Sequence, residues 1–136
     1  MPLDIKHFNP ADMGKPLGLY SHISRVRASE FIFIAGQVAV DHAGNVIGKH
    51  DFEKQMRHVF DNIGKALRSV ECTFDNVVKF TTYLVHSQDI ERFMDVRRRL
   101  FPKLFRHDSY PPNTLLVIDR LVREEFLIEV ETTLAR

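Results

Sequence analysis

A single cysteine, Cys72, in 136 residues leaves no internal disulfide to form and fits a reducing compartment. No apolar run approaches the ~20 residues that a membrane span needs. The opening residues Met1-Pro2-Leu3-Asp4-Ile5-Lys6 lack the apolar stretch of a secretory leader, so none is expected. Charge of one sign is also scarce. Nineteen basic and 18 acidic side chains leave a formal +1, which gives no general pull toward nucleic acid or membrane. The seven histidines, at 7, 22, 42, 50, 58, 86 and 107, show no HxxxH pair and have no cysteine partner, so no metal site is expected. Neither a Ser-His-Asp order nor a phosphate loop is present, and Gly44-Asn45-Val46-Ile47-Gly48 reads as a turn. What remains is a cytoplasmic globular protein with no cofactor implied.

What is there is ordinary in bulk, with 44% hydrophobic and 27% charged residues. The chain is long enough for one domain, 1–136, with a core of its own, and no repeat or linker divides it. Phe8 to Leu19 holds Pro10, Gly14, Pro16 and Gly18 and reads as an irregular arm. Ile23–Arg27 and Phe31–Gly36 flank the short break Ala28-Ser29-Glu30, which predicts an antiparallel hairpin. Phe31-Ile32-Phe33-Ile34 is apolar on both strand faces, so this strand is expected at the sheet centre, covered on both sides. Asp41 to Asn45 is a turn with Gly44 at its positive-φ position.

From Asp51 the period changes. Phe52, Met56, Val59, Phe60, Ile63, Leu67 and Val70 recur at three- and four-residue steps and predict a helix. Asp51 is its natural N-cap, and Glu53 suits its first turn. Val77–Val85, rich in β-branched and aromatic residues, is a strand. A second helix begins after Ser87 and runs through Ile90, Phe93, Met94, Arg97, Leu100 and Phe101 until Pro102 bends or ends it. Strands at Asn113–Leu121 and Leu127–Ala135 close the chain. The order ββαβαββ predicts an α+β fold, a mixed β-sheet with two helices on one face. The other sheet face is half apolar, and a second copy of the chain is its simplest cover.

Several short elements, in order over residues 18–131, resemble the RidA/YjgF family. They are Gly18-Leu19-Tyr20-Ser21, Ala35-Gly36-Gln37, Gln55 and Asn62 on the first helix, Val77-Val78-Lys79, Tyr110-Pro111-Pro112-Asn113-Thr114-Leu115-Leu116, and Glu129-Val130-Glu131. The resemblance implies a chorismate-mutase-like fold, a homotrimer with a barrel-like centre, and clefts between subunits that hydrolyse small reactive enamines or imines. It also implies that Glu129 positions the attacking water and that Tyr20 lines the cleft. The Gly36-Gln37 backbone, Lys79, His22, Asn113 and Thr114 complete the expected substrate-binding set.

Asn113 stands where the family carries a carboxylate-binding arginine, and Leu115 where some members carry cysteine. A guanidinium grips a carboxylate through two charge-assisted bonds, whereas an asparagine offers one neutral NH₂ and one carbonyl. The exchange weakens a carboxylate substrate by roughly one to two powers of ten, so an altered substrate range is expected.

Without the resemblance, Glu129 reads as an exposed strand carboxylate or a partner of Lys79 across the sheet. Tyr20 reads as a packing residue, His22 as a hydrogen-bonded strand histidine and Asn113 as a turn cap. Two other functions compete with deamination. One is a trimer that binds a small metabolite without turnover. The other is an RNA-directed translation inhibitor or ribonuclease using Arg97-Arg98-Arg99. Successive arginines spread over roughly 200° of a helix, acidic neighbours Asp89, Glu91 and Asp95 offset them, and no aromatic platform accompanies them. That cluster is expected to be a solvated helix face, and nucleic acid is not an expected partner.

Overall fold

The computed structural model describes residues 2–136. Its elements are β1 (Asp4–Phe8), β2 (Ile23–Arg27), β3 (Phe31–Gln37), α1 (Phe52–Ser69), β4 (Val77–Leu84), α2 (Asp89–Leu104), β5 (Asn113–Val117) and β6 (Ile128–Ala135). Strands β3, β6, β4 and β5 form a mixed sheet in that order, while β1 and β2 pair in a separate two-stranded ribbon. The α+β class and the two helices follow the expectation. None of the helices is long and apolar enough to cross a membrane among the described residues.

Helix α1 forms for the reasons its sequence gives. Asp51 is extended, and its carboxylate accepts from the Lys54 amide at 3.0 Å. The apolar stripe Phe52, Met56, Val59, Phe60, Ile63 and Leu67 is buried against the sheet. Sheet side chains Phe80, Leu84, Ile128, Val130 and Leu134 meet it. At the centre, Phe60 lies edge-on to Phe80 and Phe101, with ring centroids at 5.7 and 5.4 Å. Gln55, fully buried on α1, donates to the carbonyls of Gly48 and Glu125 and accepts from the Leu127 amide. It thereby fastens the helix to the start of β6. Gly44 takes φ +84 in the Asp41–Asn45 turn, as expected. Pro102 lies in the last turn of α2, which ends two residues later at Leu104.

Two expectations fail. β2 and β3 do not pair as a hairpin, and β3 is an edge strand. The amides of Ser29 and Glu30 both donate to the Arg136 carbonyl, at 3.0 and 2.9 Å, and the Arg136 amide donates to Glu30. The connection is thus fastened to the end of β6 instead of closing on itself. β2 takes β1 as its partner, from Asp4↔Arg27 to Phe8↔Ile23. Among the described residues β3 pairs only with β6, and Phe33 and Phe31, on the sheet face away from the helices, are 76% and 49% exposed. The strands proposed to run to Leu121 and Val85 stop at Val117 and Leu84. β5 runs parallel to β4, not beside β6.

The sheet therefore has two unlike faces. Ile128, Val130, Thr132 and Leu134 look toward the helices and are buried. Registers Phe33↔Thr133, Lys79↔Thr133, Thr81↔Glu131, Tyr83↔Glu129 and Thr81↔Thr114 put the alternate residues together on the opposite, open face.

Candidate active site

The open face is where the chemistry gathers. Glu129 lies on β6, half-buried, directly across from Tyr83 of β4. A register shift in β3 between Ile34 and Gln37 brings the Gly36 backbone over the Glu129 side chain. A Cβ built on Gly36 would lie 2.0 Å from Glu129 Oε2 and 2.6 Å from its Cδ. Only glycine admits the carboxyl group there. Burial, with a smaller contribution from like-charged Glu131, raises the Glu129 pKa above the ordinary carboxylate range. Among the described residues no cation pairs with Glu129.

Lys79 does not pair with it. Lys79 faces Thr133, four residues along β6 from Glu129 and so roughly 13 Å away. Its Nζ donates to Thr114 Oγ1 at 2.6 Å, and burial lowers its pKa. Lys79 and Thr114 thus form a polar pair on the same face as Glu129, but apart from it. Gln37 donates through Nε2 to the Ala35 carbonyl beside the shifted register.

Asn113 is on the other face. Its Oδ1 accepts from Thr82 Oγ1 at 2.8 Å, and it lies in register with the core residue Phe80. Tyr20 and His22 belong to the irregular arm. The Tyr20 hydroxyl accepts from the Leu17 amide, and His22 Nε2 is 2.6 Å from the Gly14 carbonyl. A single chain therefore unites Glu129 with Gly36, sets Lys79 and Thr114 farther along the same sheet face, and keeps Asn113, Tyr20 and His22 elsewhere.

Two residues escaped the sequence reading. Tyr83 faces Glu129, and the period of two along both strands, once paired antiparallel, carries that information. Arg97 is not on a solvated face but is 2% exposed. Its spacing from Phe93 and Leu100 put it in the apolar stripe. The guanidinium carbon lies 4.9 Å from the Phe93 ring centroid and 5.7 Å from that of Tyr20. Nη2 donates to the Met94 sulfur, and Nε is buried with no hydrogen-bond partner among the described residues. Burial pulls its pKa down to about 10. Arg99, by contrast, grips Glu53 through both terminal nitrogens and also bonds Asp95. Of the three successive arginines, Arg98 is left mostly in solvent, so they present no continuous basic stripe.

The chain has clear relatives. The Endoribonuclease L-PSP family model matches residues 12–135. A RutC family protein of Pyrococcus horikoshii is 32% identical over 117 residues, covering 86% of each chain. The 2-iminobutanoate/2-iminopropanoate deaminase of Bos taurus is 28% identical over 90 residues, covering 66% of each. Among solved structures, YyfB of Yersinia pestis, a protein of unknown function of the conserved Rid family, superposes with a TM-score of 0.87 at 26% identity. That match covers 97% of this chain and 98% of YyfB. A match along almost the whole sequence, together with the shared fold, makes this chain a member of the RidA/YjgF family.

Proposed function

We propose that this protein is a hydrolase that deaminates small reactive enamines or imines, with Glu129 as its acid/base. The observation that carries the reading is the Glu129 carboxyl group, pressed against Gly36 and held above its ordinary pKa without a cationic partner. A carboxyl whose proton is held more tightly than usual can serve as a general acid, and its carboxylate as a general base. For an imine, the protonated acid donates to nitrogen. Water then adds to the carbon while the carboxylate takes its proton. That proton returns to the amine, and as the C–N bond breaks the carboxylate takes the hydroxyl proton, leaving a carbonyl and ammonia with the acid restored. An enamine first accepts the proton at carbon and becomes the imine. Likeness to the bovine deaminase supports the reaction class.

In this reading the chain works as a homotrimer, and a neighbouring copy covers the open face around Phe31 and Phe33. The substrate range is shifted by Asn113, which presents no charge where the family's arginine would grip a carboxylate. The test generates 2-aminoacrylate and 2-aminocrotonate with a serine/threonine dehydratase and follows keto-acid and ammonia release. Acceleration lost in Glu129→Gln supports the proposal. Equal acceleration by Glu129→Gln, or none by the unmodified protein, overturns it.

A further inference from the structure

On one face of the β1–β2 ribbon three cross-strand pairs follow one another in register, Asp4↔Arg27, Lys6↔Arg25 and Phe8↔Ile23. The first sets opposite charges together and the third sets apolar groups together, and both arrangements stabilise a ribbon. The middle pair does the reverse. It places two cations directly across from each other, with Cβ atoms about 4.5–5.5 Å apart, and like charges so placed are destabilising. Neither Lys6 nor Arg25 has a carboxylate within ion-pair reach among the described residues.

Both cations line a cleft of about 500 Å³, and Phe8 and Phe105 give it an aromatic wall. Phe8 is 40% exposed, so its ring has surface still to bury. Asp75 is the acid on this lining, and its charge is already answered. It accepts from the Arg106 amide at 3.1 Å and lies 3.8 Å from the Arg106 guanidinium. Ser109, on the same lining, donates through its hydroxyl to the His7 carbonyl at 3.1 Å and ties β1 to the chain that follows α2. The cleft thus holds two unanswered positive charges beside an aromatic surface.

We propose that this cleft binds a small aromatic phosphate monoester, with its phosphate between Lys6 and Arg25 and its ring against Phe8. A phosphate monoester brings about −1.5 to −2 charges and three acceptor oxygens at neutral pH, so one group answers both cations. The planar guanidinium takes two of the oxygens and the ammonium a third. Binding turns the repulsion across the middle pair into two attractions. The site shares no residue with Glu129 and Gly36, so it stands or falls apart from turnover of an imine.

Titration calorimetry with phenyl phosphate in low-salt buffer tests it, with inorganic phosphate, phenol and benzoate as partial counterparts. Phenyl phosphate is expected to bind at least about tenfold more tightly than any of the three. Lys6→Met and Arg25→Met should each weaken it by at least about tenfold, the loss of a charge-assisted bond. Both side chains are exposed, so these variants should fold, which thermal unfolding checks. Lys6→Glu makes an opposite-charge pair with Arg25, so it should abolish binding while raising the Tm of the unliganded protein. Arg98→Met removes an exposed cation on α2 and should leave binding unchanged. Failure of the unmodified protein to bind phenyl phosphate overturns the site, as does undiminished affinity in both Lys6→Met and Arg25→Met, or equal weakening by Arg98→Met. Tighter binding of a short 5′-phosphorylated RNA through the same two residues would assign the cleft to a polynucleotide and equally overturn the proposal.

Discussion

Substituting Gly36 by alanine tests the candidate site without touching its carboxylate. The new methyl carbon would stand 2.0 Å from Glu129 Oε2, 2.6 Å from Cδ and 2.8 Å from Cγ. An ordinary carbon–oxygen contact needs more than a further ångström, so the carboxyl group must swing aside. A displacement of about 1 Å in a reacting group lowers turnover by roughly a hundredfold. Gly36 has no left-handed backbone to lose, and Glu129 is half-exposed and able to give way. The stability penalty of the overpacking should therefore stay near 1 kcal/mol, about 3–5 °C in Tm for a chain of this size. The assay pairs imine turnover with thermal unfolding, in the Gly36→Ala, Glu129→Ala and double variants. If the clash is the cause, Gly36→Ala should cost almost nothing in stability once Glu129 is alanine. Full turnover by Gly36→Ala, or an equal stability loss in both backgrounds, would refute the reasoning.

Four further outcomes follow from the same structure. Because burial raises the Glu129 pKa, its proton is held more tightly in the folded chain; the associated stability is complete below the unfolded value and is lost as pH rises through the folded one. Glu129→Gln should accordingly be the more stable protein at neutral pH, with its advantage shrinking in acid, and Glu131→Gln should move the carboxylate limb of any pH–rate profile downward. Phe60→Ala removes a ring that is 2% exposed amid Phe74, Phe80 and Phe101, and should cost about 3–5 kcal/mol in urea unfolding. Asp51→Ala deletes the α1 cap and should cost about 1 kcal/mol by the same measurement, with Asp51→Ser or Asp51→Asn restoring most of it.

What the sequence disclosed was local. Asp51 and the stripe from Phe52 to Leu67 define α1 because cap and period are written in neighbouring residues. Val77–Leu84 and Ile128–Ala135 are visible from their alternation, and Gly44 from its turn. The β1–β2 ribbon is not visible in this way. The choice between a β2–β3 hairpin and its alternative is made by the Arg136 carbonyl, which no window around Ser29 contains. Phe31–Ile34 has the composition of a central strand, yet tertiary pairing leaves it at an edge. Glu129 and Gly36 were both chosen, but their contact depends on a register shift that sequence does not reveal. Arg97 falls at a helical position shared with Phe93 and Leu100, and that position, not its charge, decides its burial.

The pairing of β3 has a consequence in time. Among the described residues its only partner in the sheet is β6, with Phe31 opposite Ala135, so roughly a hundred residues must be synthesised before β3 can dock. Until then a ribosome-bound chain carries Phe31-Ile32-Phe33-Ile34 as an unsatisfied β-prone apolar tract, the kind of segment that aggregates or recruits holdase chaperones. Helix α1 can form early on local signals, but the sheet it covers is completed only at the end. Maturation of this protein should be paced by the arrival of β6.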